Sequence, residues 1–237
     1  MADQTAAGRE TGPRTRLVVL DMAGTTVADD GLVEQAFDAA AAELGVVHGT
    51  DEHARMVQHV RDTMGESKIS VFRALFGDEA KAQQGNRAFE AAYDRLVDQG
   101  HCAALPGAEK AVRELRGAGL TVVLTTGFSG PTQQRILTAL GWESLADLVL
   151  CPADAGGRGR PYPDLALAAL LRTGAADDVR ELAVVGDTGY DMLCGARSGA
   201  GVVAGVLTGA HDAERLRAGG ATHVLASVAE LPQLLLG

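Results

Sequence analysis

The stretch that decides the fold is Arg16-Leu17-Val18-Val19-Leu20-Asp21-Met22-Ala23-Gly24-Thr25-Thr26. Residues 17–20 form an unbroken apolar run, which is typical of a parallel strand buried on both faces. The run ends on Asp21, and open α/β sheets bind their ligands beyond the carboxyl ends of the strands. A glycine and two threonines follow, so a turn with N–H and hydroxyl donors lies beside the acid and suits an anionic substrate. The alternative is an aspartate that only forms the turn after a strand.

The composition is that of a globular protein with an excess of acid. The 237 residues are 46% hydrophobic and 22% charged, and the formal net charge of −10 argues against nucleic-acid partners. Three cysteines match no metal spacing and predict a reduced, cytoplasmic protein. No apolar run is long enough to span a bilayer, so no membrane partner is expected. Residues 1–13 are polar and lack an apolar core, which predicts a disordered tail rather than a signal peptide.

Helical spacing of apolar residues dominates the region from 31 to 105, for example at Met56, Val60 and Met64. An all-helical insert directly after the first strand's loop predicts a cap domain over the end of the sheet. Strand and helix patterns alternate after Pro106 and Gly107, which predicts further strands near 120–124, 148–150, 182–185 and 202–207 and at Val224. The predicted fold class is therefore α/β, with a Rossmann-like parallel core (14–30 and 106–237) and an inserted helical cap (31–105). The apolar faces of the cap can support a homodimer.

Polar side chains follow four of the predicted strands. They are Asp21 after the first, Thr126 after the second, Arg160 after the third, and Asp187 with Asp191 after the fourth. Carboxylates that converge on one point repel each other unless a cation lies between them, and hard oxygen ligands around a small site favour Mg²⁺. Arg160, in a loop stiffened by two prolines, is suited to bind phosphoryl oxygens. Each residue also has a structural alternative: a helix cap for Asp187, a solvated Asp191, an exposed Arg160 and a strand-ending Thr126.

Taken together, these motifs resemble those of the haloacid dehalogenase superfamily of phosphoryl hydrolases. They are Asp21-Met22-Ala23-Gly24-Thr25-Thr26, Leu124-Thr125-Thr126-Gly127, Gly159-Arg160-Pro161-Tyr162-Pro163 and Gly186-Asp187-Thr188-Gly189-Tyr190-Asp191, in the family's order. Within the superfamily the chain is similar to the phosphonatases, the phosphonoacetaldehyde hydrolases. Ala23 stands where phosphatases usually keep a second aspartate, and Met64-Gly65-Glu66-Ser67-Lys68 lies in the predicted cap.

The resemblance implies a mechanism in which Asp21 attacks phosphorus and forms an aspartyl-phosphate. Lys68 would form an imine with a carbonyl-bearing leaving group, because Ala23 cannot act as the acid that a phosphomonoester requires. The alternative for Lys68 is a solvated helix lysine. The implied function is Mg²⁺-dependent cleavage of the carbon–phosphorus bond in a small carbonyl-bearing organophosphonate, phosphonoacetaldehyde or a relative.

The same resemblance implies the surrounding ligands. Mg²⁺ would be held by Asp21, the Ala23 carbonyl and Asp187, with Asp191 as a further ligand or as support. Thr126, Arg160 and N–H groups near Gly24 and Gly127 would neutralise the phosphoryl oxygens. The implied substrate-binding residues are Gly24, Thr25, Met64, Gly65, Gly127 and Phe128.

Three positions depart from the phosphonatase pattern. Val71 replaces a cap histidine, Gly31 replaces a cysteine, and Phe128 replaces a tyrosine. These departures point to a phosphonatase-like relative with another substrate. The first alternative function is a phosphatase of a small phosphomonoester, such as phosphoglycolate or a sugar phosphate. The second is a non-catalytic protein that binds metal and phosphate.

Overall fold

The computed structural model of the chain describes residues 14–237. The prediction of a disordered tail over residues 1–13 lies outside the described residues. Six parallel strands form one sheet: β1 (Leu17–Asp21), β2 (Thr121–Thr125), β3 (Leu148–Leu150), β4 (Leu182–Gly186), β5 (Val202–Val206) and β6 (His223–Leu225). The predicted α/β class with a Rossmann-like parallel sheet is confirmed.

The strand order β3-β2-β1-β4-β5-β6 explains where a ligand can bind. The chain leaves β1 toward β2 and β3 on one side, and continues with β4, β5 and β6 on the other. Such a change of direction opens a crevice at the carboxyl ends of the central strands. Leu20 pairs with Leu124 and Val185, so the ends of β1, β2 and β4 lie level.

The helices lie along the chain as α1 (Leu32–Glu43), α2 (Asp51–Asp62), α3 (Lys68–Phe76), α4 (Glu79–Asp98), α5 (Ala108–Gly117), α6 (Gly130–Leu140), α7 (Asp164–Thr173), α8 (Gly189–Ser198), α9 (Ala213–Ala218) and α10 (Leu231–Leu236). The first four lie between β1 and β2, where the helical insert was predicted. Its domain boundaries at residues 31 and 105 stay a prediction. No helix of the described part of the chain has the length and apolar character needed to cross a bilayer.

The strands match their sequence patterns to within one residue, because parallel strands buried on both faces appear as continuous apolar runs. Helix α2 is shorter than the spacing of Met56, Val60 and Met64 predicts, since it ends at Asp62. The Thr63 N–H and hydroxyl both donate to the carbonyl of His59, and Gly65 has a φ of 98°. Met64 therefore lies in a turn between α2 and α3, not on the apolar face of α2.

Aromatic rings form the centre of the helical insert. Phe37 on α1 lies 4.9 Å from Phe72 on α3 and 4.6 Å from Phe89 on α4, measured between ring centroids. The cluster reaches the core through Phe128, after β2, which lies 4.4 Å from the ring of Tyr93. The insert and the sheet are thus joined by an apolar contact at the carboxyl ends of the strands.

Candidate active site

A cavity of about 560 Å³ lies between the carboxyl ends of the central strands and the helical insert. Ten of the thirteen residues predicted from the sequence line it: Asp21, Ala23, Met64, Gly65, Lys68, Thr126, Gly127, Phe128, Arg160 and Asp187. The other three, Gly24, Thr25 and Asp191, are buried behind its wall. The structure thus brings together side chains that are up to 166 positions apart in the sequence, Asp21 and Asp187.

Asp21 and Arg160 form a buried ion pair at the floor of the cavity. The Arg160 Nη1 atom lies 2.6 Å from Oδ1 of Asp21 and 3.0 Å from Oδ1 of Asp191. Burial raises the pKa of Asp21 to about 7, with Arg160 lowering it and Asp191 raising it. Burial opposes the charge on Arg160, but Asp191 and Asp21 outweigh this effect and raise its pKa. The arginine is therefore a fixed cation beside a carboxylate that ends a strand.

Asp187 is held in a cradle that has no room for larger residues. Its Oδ2 accepts a hydrogen bond of 2.8 Å from the N–H of Ala210, and its Oδ1 accepts one of 3.4 Å from the Thr25 hydroxyl. A Cβ atom at Gly24 would lie 2.5 Å from Oδ2, and one at Gly209 would also collide with the carboxylate. The cradle fixes the direction of this buried acid.

The oxygen atoms around Asp187 are suitable ligands for a hard cation. Burial raises the pKa of Asp187 well above its ordinary value, and the charges of Asp21 and Asp191 raise it further. Buried carboxylates that destabilise each other's charged form are stabilised by a cation between them. The carboxylate oxygens of Asp21 and Asp187 are the ligand type that Mg²⁺ prefers, and Ala23, which lines the same cavity, has a backbone carbonyl of the same type.

Asp191 serves a different part of the site. It is the third residue of α8, and its Oδ2 accepts hydrogen bonds from the backbone N–H and hydroxyl of Thr188, at 3.0 and 2.5 Å. Thr188 caps the same helix by accepting from the N–H of Asp191. The sequence allowed Asp187 to be the cap, but Thr188 occupies that position. With Oδ1 on Arg160, the Asp191 carboxylate supports the arginine and the turn before α8.

Thr126 lies just past the end of β2 and lines the cavity, and its phosphoryl-binding role stays a prediction. Its hydroxyl accepts a hydrogen bond of 3.2 Å from the N–H of Phe128, which shapes the turn at Gly127. The neighbouring Thr125 hydroxyl accepts one of 3.4 Å from Arg160 and donates to the carbonyl of Leu20. These bonds fix the β2 turn against the arginine and against β1.

Residues 65–67 of the helical insert press against three core loops. A Cβ atom at Gly127 would lie 3.0 Å from the carbonyl oxygen of Glu66, and one at Gly159 would lie 2.9 Å from Cβ of Ser67. A Cβ atom at Gly65, whose φ is 98°, would collide with the Thr188 hydroxyl. Glycines at these positions therefore allow the insert to close over the cavity.

Lys68 is buried against three phenylalanine rings. Its Nζ atom lies 5.9 Å from the ring centroid of Phe37, 5.8 Å from Phe89 and 5.4 Å from Phe128. Among the described residues it forms no ion pair within 4.0 Å. Burial lowers the pKa of Lys68, while the charges of Asp29 and Asp21 oppose the shift. Such an amine is partly desolvated and available for reaction with an electrophile.

Sequence reasoning missed Asp29, which lines the same cavity. Its Oδ1 accepts a hydrogen bond of 3.1 Å from the N–H of Val33. Burial raises the pKa of Asp29, although that hydrogen bond and the charge of Lys68 lower it. A sequence signal was present, since Asp29 and Asp30 lie three and four residues after Thr26, the last residue of the first motif, but the sequence analysis assigned them no role.

The loop after β5 was also missed. The Thr208 hydroxyl donates a hydrogen bond of 2.7 Å to the carbonyl of Gly24, and Ala210 donates its N–H to Asp187. The sequence analysis considered polar residues only after the first four strands. The same reasoning applied to the fifth strand would have identified this loop. The rings of Phe37 and Phe89 were assigned to helix faces, and their role around Lys68 depends on packing that the sequence does not reveal.

Known proteins resemble this chain over most of its length. A family model for haloacid dehalogenase-like hydrolases matches residues 15–199. A protein of Dickeya dadantii named "Probable phosphatase IndB" is 29% identical over 206 residues, which cover 85% of each chain. The phosphonoacetaldehyde hydrolase of Pseudomonas paraeruginosa is 32% identical over 203 residues, covering 78% of this chain and 70% of the relative. A solved phosphonoacetaldehyde hydrolase-like protein from Oleispira antarctica has a TM-score of 0.80 at 21% identity, covering 99% of this chain and 96% of that one.

Proposed function

This chain belongs to the haloacid dehalogenase-like hydrolases, and from that premise we propose that it cleaves the carbon–phosphorus bond of a small carbonyl-bearing organophosphonate. Phosphonoacetaldehyde or a relative is the proposed substrate. The single observation that carries the proposal is the buried Lys68 amine in the same cavity as Asp21. Ala23 stands in the position where a phosphatase needs its acid, so cleavage of a phosphomonoester would lack a proton donor there.

The first part of the reaction is formation of an imine. The Lys68 amine adds to the carbonyl carbon of the substrate, and the carbonyl oxygen leaves as water. The protonated imine then withdraws electrons from the carbon bonded to phosphorus. The lowered pKa of Lys68 supports this role, since only the neutral amine is a nucleophile.

The second part is transfer of the phosphoryl group. An oxygen of Asp21 forms a bond to phosphorus while the carbon–phosphorus bond breaks. The electron pair of the broken bond moves into the imine and gives an enamine. Arg160 and the Thr126 hydroxyl neutralise the phosphoryl oxygens. Water then hydrolyses the aspartyl-phosphate, and protonation of the enamine and hydrolysis of the imine release the aldehyde and free Lys68.

We assign the proton transfers of the imine and the enamine to Asp29. It shares the cavity with Lys68, and burial raises its pKa, which suits a group that both accepts and donates protons. The phosphonatase pattern has a histidine and a cysteine where Val71 and Gly31 stand in this chain. A carboxyl group at Asp29 takes over the role that those two positions cannot fill.

Mg²⁺ is the proposed cofactor. Asp21, Asp187 and the Ala23 carbonyl would hold it, and Asp191 would act behind them through Arg160. When bound, the ion supplies positive charge that offsets the two buried carboxylates and the phosphoryl group. Gly24 and Thr25 would contribute by fixing Asp187, while Met64, Gly65, Gly127 and Phe128 shape the space around the leaving group.

A phosphatase acting on a small phosphomonoester is the second candidate. The departures at Gly31, Val71 and Phe128 favour it, as does the name of the relative that is 29% identical. In that case Lys68 binds the substrate without forming an imine. We also propose a cytoplasmic location, supported by three free cysteines, and a homodimer through the helical insert stays a prediction.

The discriminating experiment measures phosphate release with Mg²⁺ from phosphonoacetaldehyde and from an aryl phosphate. We expect release from the phosphonate, abolished in Lys68→Ala and retained in Lys81→Ala, which removes an exposed lysine of α4. Release from the ester alone, with Lys68→Ala nearly as active as the wild type, would favour the phosphatase and contradict the imine.

A further inference from the structure

Two histidines and an aspartate meet on the helical insert, outside the cavity. Asp38 lies on α1, His48 in the loop that follows it, and His53 on α2. None of the three lines the candidate active site. Within residues 14–237 they are the one group of at least three His, Cys, Asp or Glu side chains whose ligand atoms all lie within 4.8 Å of one another.

The distances among these atoms approach those of a metal site. His53 Nε2 lies 3.0 Å from Oδ1 of Asp38, and the rings of His48 and His53 have centroids 4.5 Å apart at an angle of 48°. Tetrahedral Zn²⁺ with bonds of about 2.0–2.1 Å separates its ligand atoms by about 3.3 Å. Small rotations of the side chains would bring all three within bonding distance of one ion.

We propose that Asp38, His48 and His53 bind a divalent transition metal of the Zn²⁺ class. Each histidine supplies one imidazole nitrogen, the aspartate supplies one carboxylate oxygen, and water completes a four-coordinate site. Imidazole nitrogens suit Zn²⁺, Cu²⁺ and Ni²⁺, whereas Mg²⁺ requires oxygen ligands. The site is therefore chemically distinct from the one at Asp21 and Asp187.

The backbone around the cluster is suited to adjust on binding. His53 is anchored, because its N–H donates to the Thr50 hydroxyl that caps α2. His48 is exposed, between Gly45 and Gly49, which have φ angles of 84° and 81° and open space around them. One ligand is thus fixed while another can move, and the net charge of −10 favours cation binding in general.

A metal at this position would connect α1 to the start of α2. The later turns of α2 contribute Gln58, Arg61 and Asp62 to the wall of the cavity, so the ion would stabilise that wall without contacting the substrate. The expected consequence is a more stable insert. This inference does not depend on the reaction proposed above, and its test uses no substrate.

The test titrates metal-free protein with Zn²⁺ by isothermal titration calorimetry, with reductant present and Mg²⁺ in excess to occupy the other site. We expect the wild type to bind one equivalent of Zn²⁺. In His48→Ala the affinity for this equivalent should be at least about 100-fold weaker, because loss of even an outer-shell partner of a metal ligand lowers metal affinity about 10–100-fold. His101→Ala removes an exposed histidine elsewhere and should bind like the wild type. Zn²⁺ at about 100 times its Kd should raise Tm by about 5–10 °C.

Asp38→Asn provides a second variant, with visible absorption of bound Co²⁺ as its readout. Loss of that absorption in both Asp38→Asn and His48→Ala is the predicted result. The inference is wrong if His48→Ala binds Zn²⁺ with the stoichiometry and affinity of the wild type. It is equally wrong if the wild type binds no equivalent of Zn²⁺ beyond those that His48→Ala binds.

Discussion

The glycine at position 24 holds Asp187 in place, and alanine at this position tests how far the site depends on that contact. Gly24 has a φ of 80°, and a Cβ atom there would lie 2.5 Å from Oδ2 and 2.7 Å from Cγ of Asp187. Gly119 has a φ of 88°, but a Cβ atom there would meet nothing within 4 Å. The two substitutions share the backbone strain, and only Gly24→Ala displaces the carboxylate.

The magnitude follows from these two contributions. Alanine in the left-handed region lowers the free energy of unfolding by about 1–2 kcal/mol. Each kcal/mol lowers Tm by about 2–4 °C in a protein of this size, so the Tm of both variants should fall by about 2–8 °C. At Gly24 the collision adds about 1–3 kcal/mol unless the Asp187 carboxylate moves. Movement would break its hydrogen bond with Ala210, and we expect the Mg²⁺ concentration for half-maximal activity to rise about 10–100-fold.

The assay measures Mg²⁺ binding by calorimetry and phosphate release against Mg²⁺ concentration, alongside Tm. Gly24→Ala should show weaker Mg²⁺ binding and lower activity, while Gly119→Ala should show only the loss of stability. Equal Mg²⁺ dependence in the two variants would refute the reasoning that the cradle positions Asp187 for a cation.

Three further predictions concern the charged groups of the cavity. In metal-free protein, Asp21→Asn should raise the free energy of unfolding by a few kcal/mol above pH 7, because folding raises the pKa of Asp21 from 3.8 to about 7 and so makes its ionisation destabilising. This gain should disappear below pH 4, where the carboxyl group is protonated in both the folded and the unfolded state. Denaturant unfolding at a series of pH values measures it. Asp29→Asn should lower kcat by about 10²–10⁴-fold in steady-state assays, since it removes the proposed proton carrier. Arg160→Met should cost about 3–5 kcal/mol in denaturant unfolding, because it leaves two buried carboxylates without their cation.

Matched variants separate these effects from general damage. Glu43→Gln removes an exposed acid of α1 outside the cavity and should leave kcat unchanged. Arg158→Met removes an exposed arginine that pairs with Asp164, and its cost should stay within about 1 kcal/mol. Stability of Asp21→Asn that follows the wild type at every pH, or an Asp29→Asn enzyme with full activity, would contradict the corresponding assignment.

Much of the core could be predicted from the sequence because its signals are local. Each buried parallel strand is an apolar run, and a polar residue follows where the strand ends, so the sequence alone predicts Asp21, Thr126 and Asp187 at one edge of the sheet. The sequence indicates a break at Gly65, but Met64 continues the apolar spacing up to that glycine, so the earlier end of α2 at Asp62 was not predicted.

The surroundings of Lys68 illustrate what a sequence pattern leaves out. Phe37 and Phe89 lie at helical spacing, which indicates an apolar face without indicating what that face contacts. Their rings lie near the amine because α1, α3 and α4 pack against one another and against Phe128 after β2, a consequence of tertiary packing. Asp29 was missed for a related reason: the sequence does not show that its loop and Lys68 of the insert share one cavity.

Borohydride trapping tests most directly whether Lys68 forms the proposed imine with the substrate carbonyl. The chain has three lysines, Lys68, Lys81 and Lys110, so the modified residue can be assigned by peptide mass spectrometry. Incubation with phosphonoacetaldehyde and borohydride should add the reduced two-carbon group to Lys68, with irreversible loss of activity and no modification in Lys68→Ala. An active enzyme that releases phosphate from the phosphonate, yet stays unmodified at Lys68 under these conditions, would contradict the account.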